Sequence, residues 1–134
     1  MAKIKVAILR FNHINLDLYA NPDGIGANYM TAPDDVSLPR IEVGLQEEWD
    51  DVFSNLIHEA FEAAIMQYQG SYTRVMDCTS DAGCRLFVFD HSTFSEIAEQ
   101  VARFLPEATT KLEKVWKKVR EETLSGKRRI KKEI

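Results

Sequence analysis

The sequence predicts a small α+β domain: a mostly antiparallel sheet packed against two to three helices. Three observations carry that expectation. The segments KIKVAILRF at 3–11 and RIEVGL at 40–45 are rich in β-branched residues and place apolar side chains on one face, as half-buried strands do. Residues 47–69, EEWDDVFSNLIHEAFEAAIMQYQ, form the strongest helical stretch, with acidic residues in the first turn and Gly70 as a stop. A second helical tract begins at residue 93 and runs to residue 123.

Along the chain, Lys3 and Lys5 alternate with Ile4, Val6 and Ile8, so the first strand is half-buried where it begins. The following FNHINLDLY admits two continuations, a strand extended through a bulge or a short turn of helix. Residues 20–39 carry three of the four prolines and two of the six glycines, in turn-forming pairs such as Asn-Pro and Asp-Gly. They read as one long loop, either a binding loop or a plain surface connection. Ile41, Val43 and Leu45 then share one face of a second strand. After the main helix, SYTRVMD at 71–77 and RLFVFD at 85–90 are two strands joined by the turn TSDAGC. LFVF, apolar on both faces, suits a central strand.

Thr93-Phe94-Ser95-Glu96 fits a capping box opening the next helix, in which Phe94, Ile97, Ala98, Val101 and Leu105 recur at helical spacing. Pro106 cannot continue it without a kink and suits the first turn of a fresh helix, carried by Leu112, Val115, Trp116 and Val119. Ser125-Gly126 closes that helix. The expected organisation is thus a single domain over 1–123 and a frayed, basic tail over 124–134.

Composition sets the class. A chain of 134 residues, 45% hydrophobic and 28% charged, buries a core without disulfides and is neither collagenous nor disordered. No run approaches the roughly 18 apolar residues of a spanning helix. The opening MAKIKVAILRF lacks a small-residue cleavage site, so a cytoplasmic protein is expected. Cys78 and Cys84, in DCTSDAGC, then read as two free thiols near a turn, because a reducing compartment disfavours their disulfide and no second pair completes a zinc site. The net charge of −4 conceals an asymmetry: residues 1–110 carry −10 and residues 111–134 carry +6. An acidic body argues against a nucleic-acid-binding domain, so contact with nucleic acid is expected only through the basic tail. The phosphate-loop, dinucleotide and nucleophile-elbow motifs are absent from the sequence.

The chemistry-bearing pattern is His58-Glu59-Ala60-Phe61-Glu62, inside the main helix. His58 and Glu62, four residues apart, share a face and can clamp a zinc-sized ion. With Trp49 set at 0°, they fall near about 180° and 220° and Glu59 near 280°, within the polar stripe of a mostly apolar helix. The pattern resembles the His-Glu-x-x-His motif of the zincin metallopeptidases, as does the order of strand, motif helix and later segment. Glu62 stands where that motif has its second histidine. The resemblance implies a zinc site of His58, Glu62 and His91, with Glu59 as general base of a hydrolase acting on an amide or similar bond. His91 also has a plain reading as a turn residue among Asp90, Ser92 and Thr93, and His13 belongs to no motif. The alternative function is a non-enzymatic accessory protein, similar to those of bacterial or phage genomes, docking on a partner protein through its acidic body or basic tail.

Overall fold

The computed structural model describes residues 1–31, 37–67, 71–73, 85–87 and 89–133. Cys78 and Cys84, and most of the expected strand 71–77, lie outside the described residues. A four-stranded mixed sheet comprises β1 (Ile4–Phe11), β2 (Ile14–Asn21), β3 (Ala27–Met30) and β4 (Arg40–Gly44), in the order β1-β2-β4-β3. β1–β2 and β3–β4 are antiparallel and β2–β4 is parallel. Helix α1 spans Trp49–Gln67, a small antiparallel pair joins β5 (Ser71–Thr73) to β6 (Arg85–Phe87), and α2 spans His91–Glu133. The α+β class holds, and two of the sheet's three pairings are antiparallel.

Each element follows from local chemistry. The ambiguous segment after β1 is a hairpin: Phe11 faces Ile14, leaving Asn12-His13 as a two-residue turn. Asn12 takes φ 57°, in the left-handed region that asparagine tolerates better than most residues. The expected long loop is interrupted by structure. Asn21 Oδ1 accepts the Asp23 N–H and Asn21 O accepts the Gly24 N–H, a tight turn that delivers the chain into β3. The Gly44 N–H donates to Gly26 O at 2.7 Å, so β4 and this turn lie backbone to backbone.

One face of the sheet is apolar. Leu9 and Phe11 from β1, Leu16, Leu18 and Ala20 from β2, and Ile41 and Val43 from β4 are buried in one core with residues of both helices. α1 contributes Val52, Leu56, Ala60, Ala63 and Ala64, and packs over β3 and β4. α2 contributes Ile97, Val101, Phe104, Ala108 and Leu112, and packs over β1 and against α1. Phe11 and Phe104 meet edge to face with ring centroids 4.9 Å apart. The Trp116 indole N–H donates to Gln46 O at 2.9 Å and its ring tilts against Trp49, fastening α2 to the β4–α1 connection.

On the other face of the sheet, Glu42 is buried yet paired, with Lys3 at 2.9 Å and Arg40 at 3.5 Å. A shallow groove beside it is lined by Asn21, Gly24–Asn28 and Gly44.

Four expectations are corrected. The helix does not break at Pro106 but runs through it, because Phe104, Ala108 and Leu112 on either side are buried in the same core and packing outweighs the lost hydrogen bond. Its backbone also continues past Ser125-Gly126 to Glu133, where a frayed tail was expected. It starts earlier too: Asp90, not Thr93, is the cap, its Oδ1 accepting the Thr93 N–H at 2.7 Å. Those hydrogen bonds hold the Asp90 carboxyl below its usual range. Finally, β6 is not a central strand among the described residues; it pairs with β5 as a separate two-stranded sheet. An apolar run requires cover on both faces, but periodicity does not say which element provides it.

A Cβ on Gly44 would meet the Gly24 carbonyl oxygen at 2.4 Å and that of Gly26 at 2.9 Å. Gly44→Ala is therefore expected to lower stability by about 1–3 kcal/mol in urea denaturation, through overpacking against backbone that cannot rotate away. An unchanged midpoint would refute the close approach.

Candidate metal centre

The chemistry-bearing residues sit in the second half of α1, where the helix crosses β3. His58, Glu59 and Glu62 each offer a ligand atom, and the three atoms lie within 4.8 Å of one another. His58 Nε2 is 3.4 Å from Glu62 Oε2 and 3.9 Å from Glu59 Oε1. The exposures are graded. The His58 side chain is 71% exposed, that of Glu62 23%, and that of Glu59 7%. The cluster thus opens to solvent on the histidine side and closes toward the core on the Glu59 side.

The burial of Glu59 departs from its expected place in the polar stripe. The buried residues of α1 are Val52, Leu56, Glu59, Ala60, Ala63, Ala64 and Ile65, so this carboxylate occupies the packed face. What lies opposite accounts for it. In β3, Asn28 faces Glu42, while Ala27 and Tyr29 face Val43 and Ile41. With the Gly44 N–H donating to Gly26 O, the alternation of an antiparallel ladder turns the Tyr29 N–H away from β4, off the edge of the sheet. The Glu59 carboxylate accepts a hydrogen bond from that backbone group. A strand edge that would otherwise leave a donor unpaired is thereby closed by a helix side chain.

Burial raises the Glu59 carboxyl above its ordinary value of 4.5, and the neighbouring Glu62 charge raises it further. His58 and the Tyr29 N–H oppose the shift. In effect the carboxyl is partly desolvated beside a second carboxylate, an arrangement relieved by a proton or by a cation.

As a donor set, the cluster could hold a metal ion. Two ligands each at ~2.1 Å from zinc and disposed tetrahedrally are about 3.4 Å apart, and His58 Nε2 and Glu62 Oε2 have that separation. One imidazole and carboxylate oxygens are accepted zinc ligands, and the exposed side of His58 leaves coordination positions to solvent. Of the residues expected from sequence, the structure brings together His58, Glu62 and Glu59. It does not bring His91 into the group: His91 is the exposed first residue of α2, beside its cap Asp90. His13 is exposed in the β1–β2 turn. The backbone of Tyr29 went unforeseen because it belongs to the segment read as loop; the only sequence signal was the spacing of Ala27 and Tyr29 within ANYM.

Comparison with known proteins assigns the chain to no family: no family model, no curated protein and no solved structure matches it.

The folded pKa of Glu59 lies above its unfolded value, so the folded chain holds this proton more tightly. The resulting stability is fully present below about pH 4.5 and is lost as pH rises through the folded pKa. Glu59→Gln keeps an acceptor for the Tyr29 N–H and removes the charge. In chelator-treated buffer, the stability of the wild type relative to this variant is expected to fall as pH rises from 4.5 toward neutrality. Parallel pH profiles for the two proteins would contradict the burial assigned to Glu59.

Proposed function

We propose that this protein binds a divalent metal ion, zinc by its donor chemistry, through His58 and Glu62, and that Glu59 serves as the general base of a hydrolase. One observation carries the reading. An imidazole and a carboxylate one helical turn apart, 3.4 Å between ligand atoms, stand beside a buried carboxylate with a raised pKa.

His58 and Glu62 would hold the ion, and the helix fixes their spacing without help from a loop. A zinc ion so held supplies Lewis-acid polarisation of a carbonyl or water oxygen. Glu59 holds or releases a proton at its carboxylate next to His58, and its upward shift moves that exchange toward neutral pH, where a general base works best. The Tyr29 N–H orients this carboxylate from the edge of β3, so the base is fixed by two elements rather than one. His58 faces solvent, which gives a substrate access from that side. Amide hydrolysis is the reaction class that the resemblance to zincins suggests for such a set, and the replacement of the second histidine by Glu62 makes the ligand field more anionic.

Calorimetric titration of the chelator-treated full chain with zinc at pH 7.5 tests the site. One ion per chain is expected, with His58→Ala and Glu62→Ala each weakening binding by at least roughly tenfold. His91→Ala, outside the group, is expected to leave affinity unchanged. Absence of uptake by the wild type, or uptake indifferent to both ligand substitutions, removes the metal reading and the hydrolase with it. A protein acting through partner contacts would then remain.

A further inference from the structure

Helix α2 is far longer than the body it serves. Among the described residues its last fully buried one is Leu112, Trp116 donates to Gln46 O, and Arg120 lies over the Trp116 ring. Beyond this point Glu121, Glu122, Thr123, Leu124, Ser125 and Gly126 are all exposed. Six successive residues sample every direction around a helix axis, so over 121–126 the helix presents exposed side chains all round. The backbone nevertheless stays helical to Glu133. The backbone of 121–133 is therefore a helical rod of about 20 Å whose first six residues are exposed on every side.

Its charge differs from everything behind it. Residues 117–132 hold eight Lys and Arg (Lys117, Lys118, Arg120, Lys127, Arg128, Arg129, Lys131 and Lys132) against Glu121 and Glu122. Residues 1–110 carry −10. At physiological ionic strength charges are screened over about 8 Å, so the outer half of a 20 Å rod lies beyond the field of the acidic body. A basic segment folded back on that body would be neutralised, whereas one held off it by a rigid helix keeps its field. We infer that this projecting arm binds the phosphate backbone of duplex nucleic acid, with the acidic body held away from the polyanion.

Charge complementarity selects this occupant. The end of the arm carries five Lys and Arg within residues 127–132, and a DNA duplex presents about one negative charge per 1.7 Å along its axis, enough phosphates for each of them. Among residues 117–132 no aromatic residue is present to stack on bases, so contact is with phosphate and independent of sequence. This surface is separate from the cluster on α1 and stands whether or not a metal is bound there.

Fluorescence anisotropy of a labelled 20-base-pair duplex, titrated with the full chain at several salt concentrations, tests the inference. Binding at 50 mM salt is expected to weaken by roughly several hundredfold at 200 mM, as release of counterions from four to five phosphates requires. Two unrelated duplex sequences should bind within about twofold of each other. The triple variant Lys127→Glu, Arg128→Glu, Arg129→Glu should lose binding by at least roughly fiftyfold, while the thermal unfolding of the body stays unchanged. Three outcomes overturn it: no binding at 50 mM salt, binding that survives the triple variant, or salt-sensitive self-association or capture by anionic vesicles with the duplex left free. Self-association would identify the acidic body of a second copy as the arm's partner, and vesicle capture a lipid surface.

Discussion

A four-stranded sheet with a single apolar face has to cover that face, and the arrangement of this protein follows from that constraint. Leu9, Phe11, Leu16, Leu18, Ile41 and Val43 all project to the same side. α1 takes the half above β3 and β4, and α2 takes the half above β1. The division has local consequences. α1 is brought across the edge strand, which is where its polar residues meet backbone. α2 is pinned by Phe104 against Phe11 and by Trp116 against Trp49, which fixes the direction in which the remainder of that long helix departs.

Glu59 shows how such a constraint generates chemistry. A helix lying over a sheet normally buries small or apolar residues, and Ala60, Ala63 and Ala64 are buried here. Glu59 instead fills a position where the edge has a spare N–H. The carboxylate satisfies the donor, yet it is desolvated and stands beside Glu62 and His58. Buried carboxylates are tolerated when paired, and this one has a backbone donor on one side and an imidazole on the other. The helix imposes the i, i+4 distance on His58 and Glu62, and it is this fixed spacing beside Glu59 that the proposed metal site would use.

Electrostatics divides the molecule differently from packing. On the open face of the sheet, Glu42 is countered by Lys3 and Arg40, and along α2 the pairs Glu107–Lys111 and Glu113–Lys117 run acid first, the orientation that supports a helix. Such pairing keeps the inner part of α2 near neutrality. After Glu121 and Glu122, residues 127–132 hold five Lys and Arg and no acidic residue, and the charge turns positive. A helix without packing has to rely on its own propensity, and the Lys and Arg of this segment have high helix propensity, which agrees with its continuation past Gly126.

The elements whose periodicity is local were legible in the sequence: the strand at 3–11, the strand at 40–45 and the helix ending before Gly70 all lie close to where the alternation and the apolar spacing put them. So was the pairing of His58 with Glu62, since four residues on a helix determine it. Elements that depend on contacts distant along the chain were not legible. β3 is four residues long in a segment dominated by Pro, Gly and Asn, and it exists because β4 offers it a ladder. Pro106 reads as a break because propensity counts only the lost hydrogen bond and the ring, whereas the core residues on both sides hold the helix together. A helical wheel put Glu59 in a polar stripe because it assigns faces by composition; only the position of β3 decided that this face is buried. By itself, then, the sequence determined the fold class, the charge division and the His58–Glu62 spacing, all of which are set by neighbours along the chain. The tertiary structure alone decided that Glu59 is buried against Tyr29, that His91 stands outside the cluster and that α2 stays helical past Gly126 with residues 121–126 exposed. Those depend on which surfaces meet, and burial is a property of the meeting surfaces.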